Sequence, residues 1–391
     1  MLDLDMIRAD TPGTANRIHL NNAGAGLMPK PVTDAVRRHL DLEEAIGGYE
    51  AKAEAQTAHD GVYDSIARLI GADRSEIALV ENATVAWNKA FFGIQFNEGD
   101  RILTCESEYG ANYIGYLQMA KWKGTSIEVI PNDSSGAVDT EALRAMLDDR
   151  VRLISITHIP TSGGLVNPAE EIGAIAREHN ILYLLDACQT LGQMPVDVSA
   201  IGCDMLSVTG RKFLRGPRGT GFLYVRSDII PDMEPPMIDH FAATWVDAET
   251  YTLRTDAKLF ELWENNYAAQ LGLGVAVDYA LNLGLQEIRD RALMLATRLR
   301  EGLAEISGIT LRDLGRVKCA IVTFDAAGKP AEDIAAMLNQ RRINCSISTA
   351  DSTMLDFAAR KLPSLVRLSP HYYNTEAEID TALEAVAAAV Q

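Results

Sequence analysis

The segment ILYLLDACQTLGQ, Ile181–Gln193, decides the fold. Its run Ile181–Leu185 is continuously apolar, without the in–out alternation of a strand with one wet face, so both of its faces need cover. Asp186 ends the run and a small-residue turn follows. Six further runs have the same character: Ile77–Val80, Arg101–Cys105, Ser126–Pro131, Arg152–Ile159, Met205–Thr209 and Gly221–Val225. Amphipathic segments such as Ala169–His179 separate them. The alternation predicts an α/β protein with a mainly parallel seven-stranded sheet covered by helices. Ligands of such sheets sit at the carboxyl ends of the strands, so the residues that follow each run are the functional candidates.

Beyond about residue 270 the pattern changes. Long helices (Leu271–Leu283, Leu285–Ile306) lead into short strands (Ala320–Phe324, Ile343–Ile347, Leu365–Leu368) alternating with helices (Ala331–Gln340, Glu376–Val390). This reads as a smaller α+β domain. The expected division is a large domain over 20–265 and a small one built from 1–19 and 266–391. The formal net charge of −18 argues against nucleic acid or an anionic membrane as a partner. Five scattered cysteines, without a Cys-x-x-Cys pair, read as reduced cytoplasmic thiols. The histidines show no metal-ligand spacing, so no metal is expected. The acidic N-terminus does not read as a signal peptide, and no run reaches the ~20 apolar residues of a membrane span.

Three segments carry chemistry. In TGRKFLRGPRGTGFLYV, Thr209–Val225, a basic cluster stands between two strands of an acidic protein. Thr209 and Arg211 flank Lys212 with a hydroxyl and a guanidinium suited to phosphate, and the glycines permit close backbone approach. A lysine beside other cations and shielded from water is a nucleophile toward an aldehyde. Asp186, at the end of a buried run, is costly unless partnered; it reads either as a helix cap or as the partner of a pyridinium nitrogen. Gln189 would then reach the same ring's phenolic side. In ENATVAWNKAFFG, Glu81–Gly93, Ala83 and Thr84 stand at a helix N-terminus, a ready anion site, or else form an ordinary cap.

The motifs ENAT, CESEYGAN (Cys105–Asn112), THIPTSGGLVNP (Thr157–Pro168), LLDACQTLGQ, SVTGRKFLRGPRGTG and LVRLSPHYYNT (Leu365–Thr375), in this order, resemble the class V aminotransferase family of fold-type I pyridoxal 5′-phosphate (PLP) enzymes. That family includes cysteine desulfurases, selenocysteine lyases and isopenicillin N epimerase. The resemblance runs from about Ile18 to the C-terminus. It implies a Schiff base between PLP and Lys212, a ring-nitrogen partner in Asp186, and a phenolic-side contact from Gln189. It implies phosphate contacts from Ala83, Thr84, Thr209 and Arg211. Tyr109 stands where desulfurases carry a ring-stacking histidine; a phenol stacks but is no imidazole in acid–base work. Thr161 replaces an asparagine near the phenolic oxygen. Arg367 corresponds to the clamp of the substrate carboxylate, and Asn22 falls in the segment that lines the substrate pocket. A homodimer with active sites near its interface is also implied.

The loop SISTADSTMLD, Ser346–Asp356, lacks the nucleophilic cysteine of the desulfurases, and Cys345 just upstream is expected to point elsewhere. This argues against persulfide-forming desulfurase chemistry. The expected function is a β-elimination lyase of the C–S type, acting on an amino acid through an external aldimine and a Cα carbanion. An aminotransferase and an epimerase are the alternatives.

Overall fold

The computed structural model describes residues 2–391. Its main sheet has seven strands: β1 (Ile77–Val80), β2 (Arg101–Cys105), β3 (Ser126–Ile130), β4 (Val151–Thr157), β5 (Leu182–Asp186), β6 (Met205–Thr209) and β7 (Gly221–Val225). They lie in the order β1-β7-β6-β5-β4-β2-β3. Only β7 runs against the others, pairing antiparallel with β1 and β6. The continuous apolar runs have the cause inferred from them. Ile154, Ile156 and Leu185 pack into the core on one face, and Leu153, Leu184 and Met205 into a second core on the other. Helices α1 (Ala83–Phe91) and α2 (Gly110–Lys123) start directly beyond β1 and β2, and α3 (Ala169–Glu178) connects β4 to β5.

The chain then enters α4 (Tyr267–Leu283) and α5 (Leu285–Ala304). Leu273 and Val277 of α4 belong to the core of the large sheet. Leu295 and Leu299 of α5 belong to a separate core. That core lies against an antiparallel sheet of β8 (Ile309–Leu311), β9 (Val322–Ala326), β10 (Ser346–Ser348) and β11 (Leu365–Leu368), ordered β8-β9-β11-β10. Helices α6 (Ala331–Gln340) and α7 (Glu376–Val390) complete it. A short strand, Ile18–His19, pairs in parallel with Ile343–Asn344, so the N-terminal segment is stitched to the second sheet.

Two sequence expectations change in detail. The run expected over Ile343–Ile347 is split into Ile343–Asn344 and β10, because its two halves pair with different neighbours. A hairpin of Ala243–Trp245 and Tyr251–Leu253 was not foreseen; it is exposed and lacks the apolar alternation that marks a packed strand. No single helix among the described residues is long and apolar enough to cross a membrane.

Candidate active site

The parallel strands end on one side of the sheet, and the candidates gather there. A cavity of about 490 Å³ is lined by Ala83 and Thr84 beyond β1, Tyr109 and Asn112 beyond β2, Thr157 and Thr161 of and beyond β4, Asp186, Cys188 and Gln189 at the end of β5, and Thr209, Arg211 and Lys212 at the end of β6. That volume suits a small-molecule site. Asp186 and Thr209 end strands, Ala83, Thr84 and Tyr109 open helices, and Gln189, Arg211 and Lys212 lie in the turns just beyond strands, where backbone direction is fixed by the sheet.

Lys212 is buried, and its Nζ donates to Cys188 Sγ at 3.2 Å. The lysine turn is held against the Asp186 turn by Gly192, whose φ is +91°; a Cβ there would lie 2.2 Å from the Phe213 carbonyl carbon. Only glycine combines this φ with that approach. Behind the same turn, the wholly buried Arg215 donates to the Thr11 hydroxyl, the Leu27 carbonyl and the Tyr372 hydroxyl, tying the lysine loop to both chain ends.

Asp186 Oδ1 accepts from the Cys188 N–H at 2.9 Å, and Oδ2 accepts from Asn112 Nδ2 at 2.9 Å. Burial pushes its carboxyl up from the ordinary value, while these two donors and the Lys212 charge hold it down. Gln189 donates through Nε2 to the Thr161 hydroxyl at 3.0 Å and the Ala23 carbonyl at 3.1 Å. Its Oε1 is buried and has no hydrogen-bond partner among the described residues. A buried acceptor left open in a cavity is a seat for a ligand donor.

At the other end, Asn82 caps α1 by accepting from the Val85 N–H, and the N–H groups of Ala83 and Thr84 come before the first intrahelical bond. Arg211 donates to the Thr209 hydroxyl at 2.9 Å. A helix N-terminus, two threonine hydroxyls and a guanidinium on one wall form an anion cradle. The donor set therefore fits PLP end to end: phosphate donors at one wall, an amine for the carbonyl, an open acceptor in Gln189, and a carboxylate for the ring nitrogen.

Tyr109 caps α2 with its ring on the cavity wall and 37% exposed. Burial raises its phenol above the ordinary value, so it stays neutral. Arg367, on β11, reaches in from the second sheet: Nη1 donates to Thr161 Oγ1 at 2.5 Å and to its carbonyl at 2.9 Å. Its Nε is buried without a partner among the described residues. Burial lowers its guanidinium to about 10, still charged at neutral pH.

Asn22 is not brought to the cavity. It is fully buried, donates to the Ser369 carbonyl at 2.8 Å, and accepts from the Tyr373 hydroxyl at 2.5 Å. Both ends of its amide are used in joining the N-terminal segment to the C-terminal chain. Sequence reasoning also passed over Cys188, Asn112 and Glu108, although each stands inside a motif it singled out. The i, i+4 spacing of Glu108 and Asn112 across a helix start was the available signal.

The loop beyond β10 packs over the start of α2. A Cβ on Gly110 would lie 2.4 Å from the Asp351 carbonyl oxygen, and Thr353 bonds Ser162 at 2.7 Å. Cys345 faces the other way: it packs against the second core, with its sulfur 4.0 Å from the Ala335 carbonyl on α6.

A family model described as aminotransferase class-V matches residues 18–382. A probable cysteine desulfurase from Methanothermobacter thermautotrophicus is 30% identical over 95% of this chain and 94% of its own length. The apo structure of a cysteine desulfurase from Thermococcus onnurineus NA1 superposes with a TM-score of 0.92 at 26% identity, covering 100% of this chain and 98% of that one. A cystine C–S lyase superposes with a TM-score of 0.87 over 96% of this chain and 99% of its own; at 23% identity the likeness is one of fold.

Proposed function

We propose that this chain, which belongs to the class-V aminotransferase family, is a PLP-dependent lyase that removes a β-substituent, sulfur above all, from an amino acid. When bound, PLP supplies an electron sink for the pair released as a bond to the substrate α-carbon breaks. Lys212 holds the cofactor's carbonyl carbon and, once displaced by substrate, takes the α-proton. Asp186 receives the ring nitrogen and keeps it protonated. Gln189 and Thr161 serve the phenolic side, and Ala83, Thr84, Thr209 and Arg211 the phosphate. Tyr109 covers one ring face, and Arg367 takes the substrate carboxylate with its planar fork.

The observation that carries the elimination reading is the mouth of the site. Its covering loop, Thr349–Thr353, has no thiol, and Cys345 is turned into the second core. Sulfur expelled from the β-carbon then meets no thiol on the covering loop, and the one cysteine of the cavity wall, Cys188, has its thiol pushed up by burial and its sulfur against Lys212. Relatives named cysteine desulfurase and a neighbour named cystine C–S lyase support a sulfur-bearing substrate.

The products test this. With the PLP-loaded protein and L-cystine or L-cysteine, β-elimination yields pyruvate, ammonia and a sulfur compound, whereas desulfuration yields alanine. Pyruvate as the main product, absent with Lys212→Ala, is expected. Alanine as the main product, or transfer of the amino group to a keto acid, overturns the reading.

The same reading extends to organisation. We place the end of the large unit after Leu283, since α4 packs on the large sheet. A homodimer is inferred from the hairpin, which leaves Trp245, Val246 and Tyr251 exposed. Five free cysteines suit a reducing cytoplasm.

A further inference from the structure

A second carboxylate lies behind Asp186. Glu108 is buried at the end of β2. Its Oε1 accepts from the Tyr109 N–H at 2.7 Å, from Asn112 Nδ2 at 2.9 Å and from the Thr157 hydroxyl at 2.5 Å. Its Oε2 accepts from the Thr104 hydroxyl at 2.8 Å and shares the Tyr116 hydroxyl, at 3.1 Å, with Ser155. Among the described residues every fixed polar neighbour is a donor, and no fixed acceptor faces it to take a carboxyl proton. Burial holds this carboxyl above its ordinary value, and the nearby Asp186 charge adds to the rise, while the hydrogen bonds from Thr157, Asn112 and Thr104 oppose it. The surroundings are built for the anion.

Asn112 is the link. Its amide has two protons; one goes to Glu108 and the other to Asp186, each at 2.9 Å. A flipped amide would aim its carbonyl at two carboxylates, so its orientation is fixed. The two carboxylates thus lie within about 6 Å of one another. The other titratable groups against Glu108 are Cys105 on β2 and Tyr116 on α2. Burial raises both, so they stay neutral and contribute no compensating positive charge.

We propose that Glu108 is the positioning residue of Asp186: a buried anion that, through Asn112, orients the Asp186 carboxylate and sets a second negative charge behind the seat of the cofactor's ring nitrogen. The inference rests on the reading of this cavity as a PLP site. Two anions hold a proton on that nitrogen over a wider pH range than Asp186 alone, since a nearby negative charge favours the protonated cation. The cost of burying Glu108 is met by its hydrogen bonds and is spent on electrostatics at one atom.

Glu108→Gln is close to isosteric. Its amide oxygen keeps the Tyr109 and Asn112 donors, and its NH2 meets Thr104 and Tyr116, whose hydroxyls can turn to accept. The protein is loaded with PLP labelled with 15N in the ring, and the ring-nitrogen shift is followed from about pH 6 to 10. The expected result is loss of the ring proton in Glu108→Gln about one pH unit lower than in wild type. Thr104→Val, which removes a donor but keeps the charge, should titrate like wild type. If Glu108→Gln fails to fold, Asn112→Leu cuts the link and leaves both carboxylates; PLP affinity should then weaken about tenfold. Uptake of PLP with an unchanged ring-nitrogen titration, or unchanged affinity in Asn112→Leu, overturns this inference alone. No uptake of PLP by the wild type overturns it together with the function from which it proceeds.

Discussion

The floor of the cavity and its mouth are built by different rules. On the floor, Asp186, Asn112, Glu108 and Thr157 are buried and sit on or just past strand ends, each held by several hydrogen bonds. At the mouth, Tyr109 is 37% exposed, Arg367 arrives from the second sheet, and a short loop from that sheet closes over Gly110. Floor residues are fixed by one continuous ladder, and mouth residues by the docking of two units. On the proposed reading the floor sets what chemistry is possible, and the mouth sets which amino acid receives it and where its leaving group goes.

The hardest test of the floor is Lys212→Ala. It removes both the covalent anchor and the base, so turnover should fall at least about a thousandfold, and the visible band of the lysine-bound cofactor should vanish. A variant retaining the band would place the anchor elsewhere. Asp186→Ala should come next, with a loss on the order of a hundredfold in kcat and intact folding by circular dichroism. Equal losses in kcat/KM and kcat would mark a contact felt in the transition state. The mouth should behave otherwise. Arg367→Lys keeps a charge but loses the fork, so KM should rise about tenfold with a smaller change in kcat. A kcat-dominated loss at Arg367 would erase the distinction between floor and mouth.

The same division explains what the sequence reveals. Continuous apolar runs announced β1, β2, β6 and β7 to the residue, because a strand buried on both faces leaves no alternative pattern. Asp186 ends such a run, and Lys212, Gln189 and Thr84 follow such runs, which is why the sequence could single them out and why the sheet brings them to one cavity. An Asn/Gly-rich turn looks the same in sequence whether its amide faces a ligand or, as Asn22 does, Ser369 and Tyr373 from 347 and 351 residues away. The Glu108–Asn112 pair went unread because its partner Asp186 lies 74 residues from Asn112, and only the sheet brings them together. The hairpin at Ala243–Leu253 left no apolar alternation to read, since its strands are largely exposed.

The smallest expected effect is the most pointed one for the mouth: Cys345→Ser should leave sulfur release unchanged within about twofold. Burial pushes this thiol up to about 11, so below that pH it is protonated, and near pH 8 only about one part in a thousand is thiolate. Its alkylation by iodoacetamide should accordingly be slow at pH 8 and rise about tenfold per pH unit toward 11. A cysteine that receives sulfur from a substrate needs the opposite character, an exposed and readily ionised thiol above the cavity. If Cys345→Ser abolished sulfur release, or if the thiol reacted rapidly at pH 8, the second sheet would have to move enough to turn β10 over. The mouth would then be a mobile sulfur acceptor instead of a fixed rim, and alanine instead of pyruvate would be the product to expect.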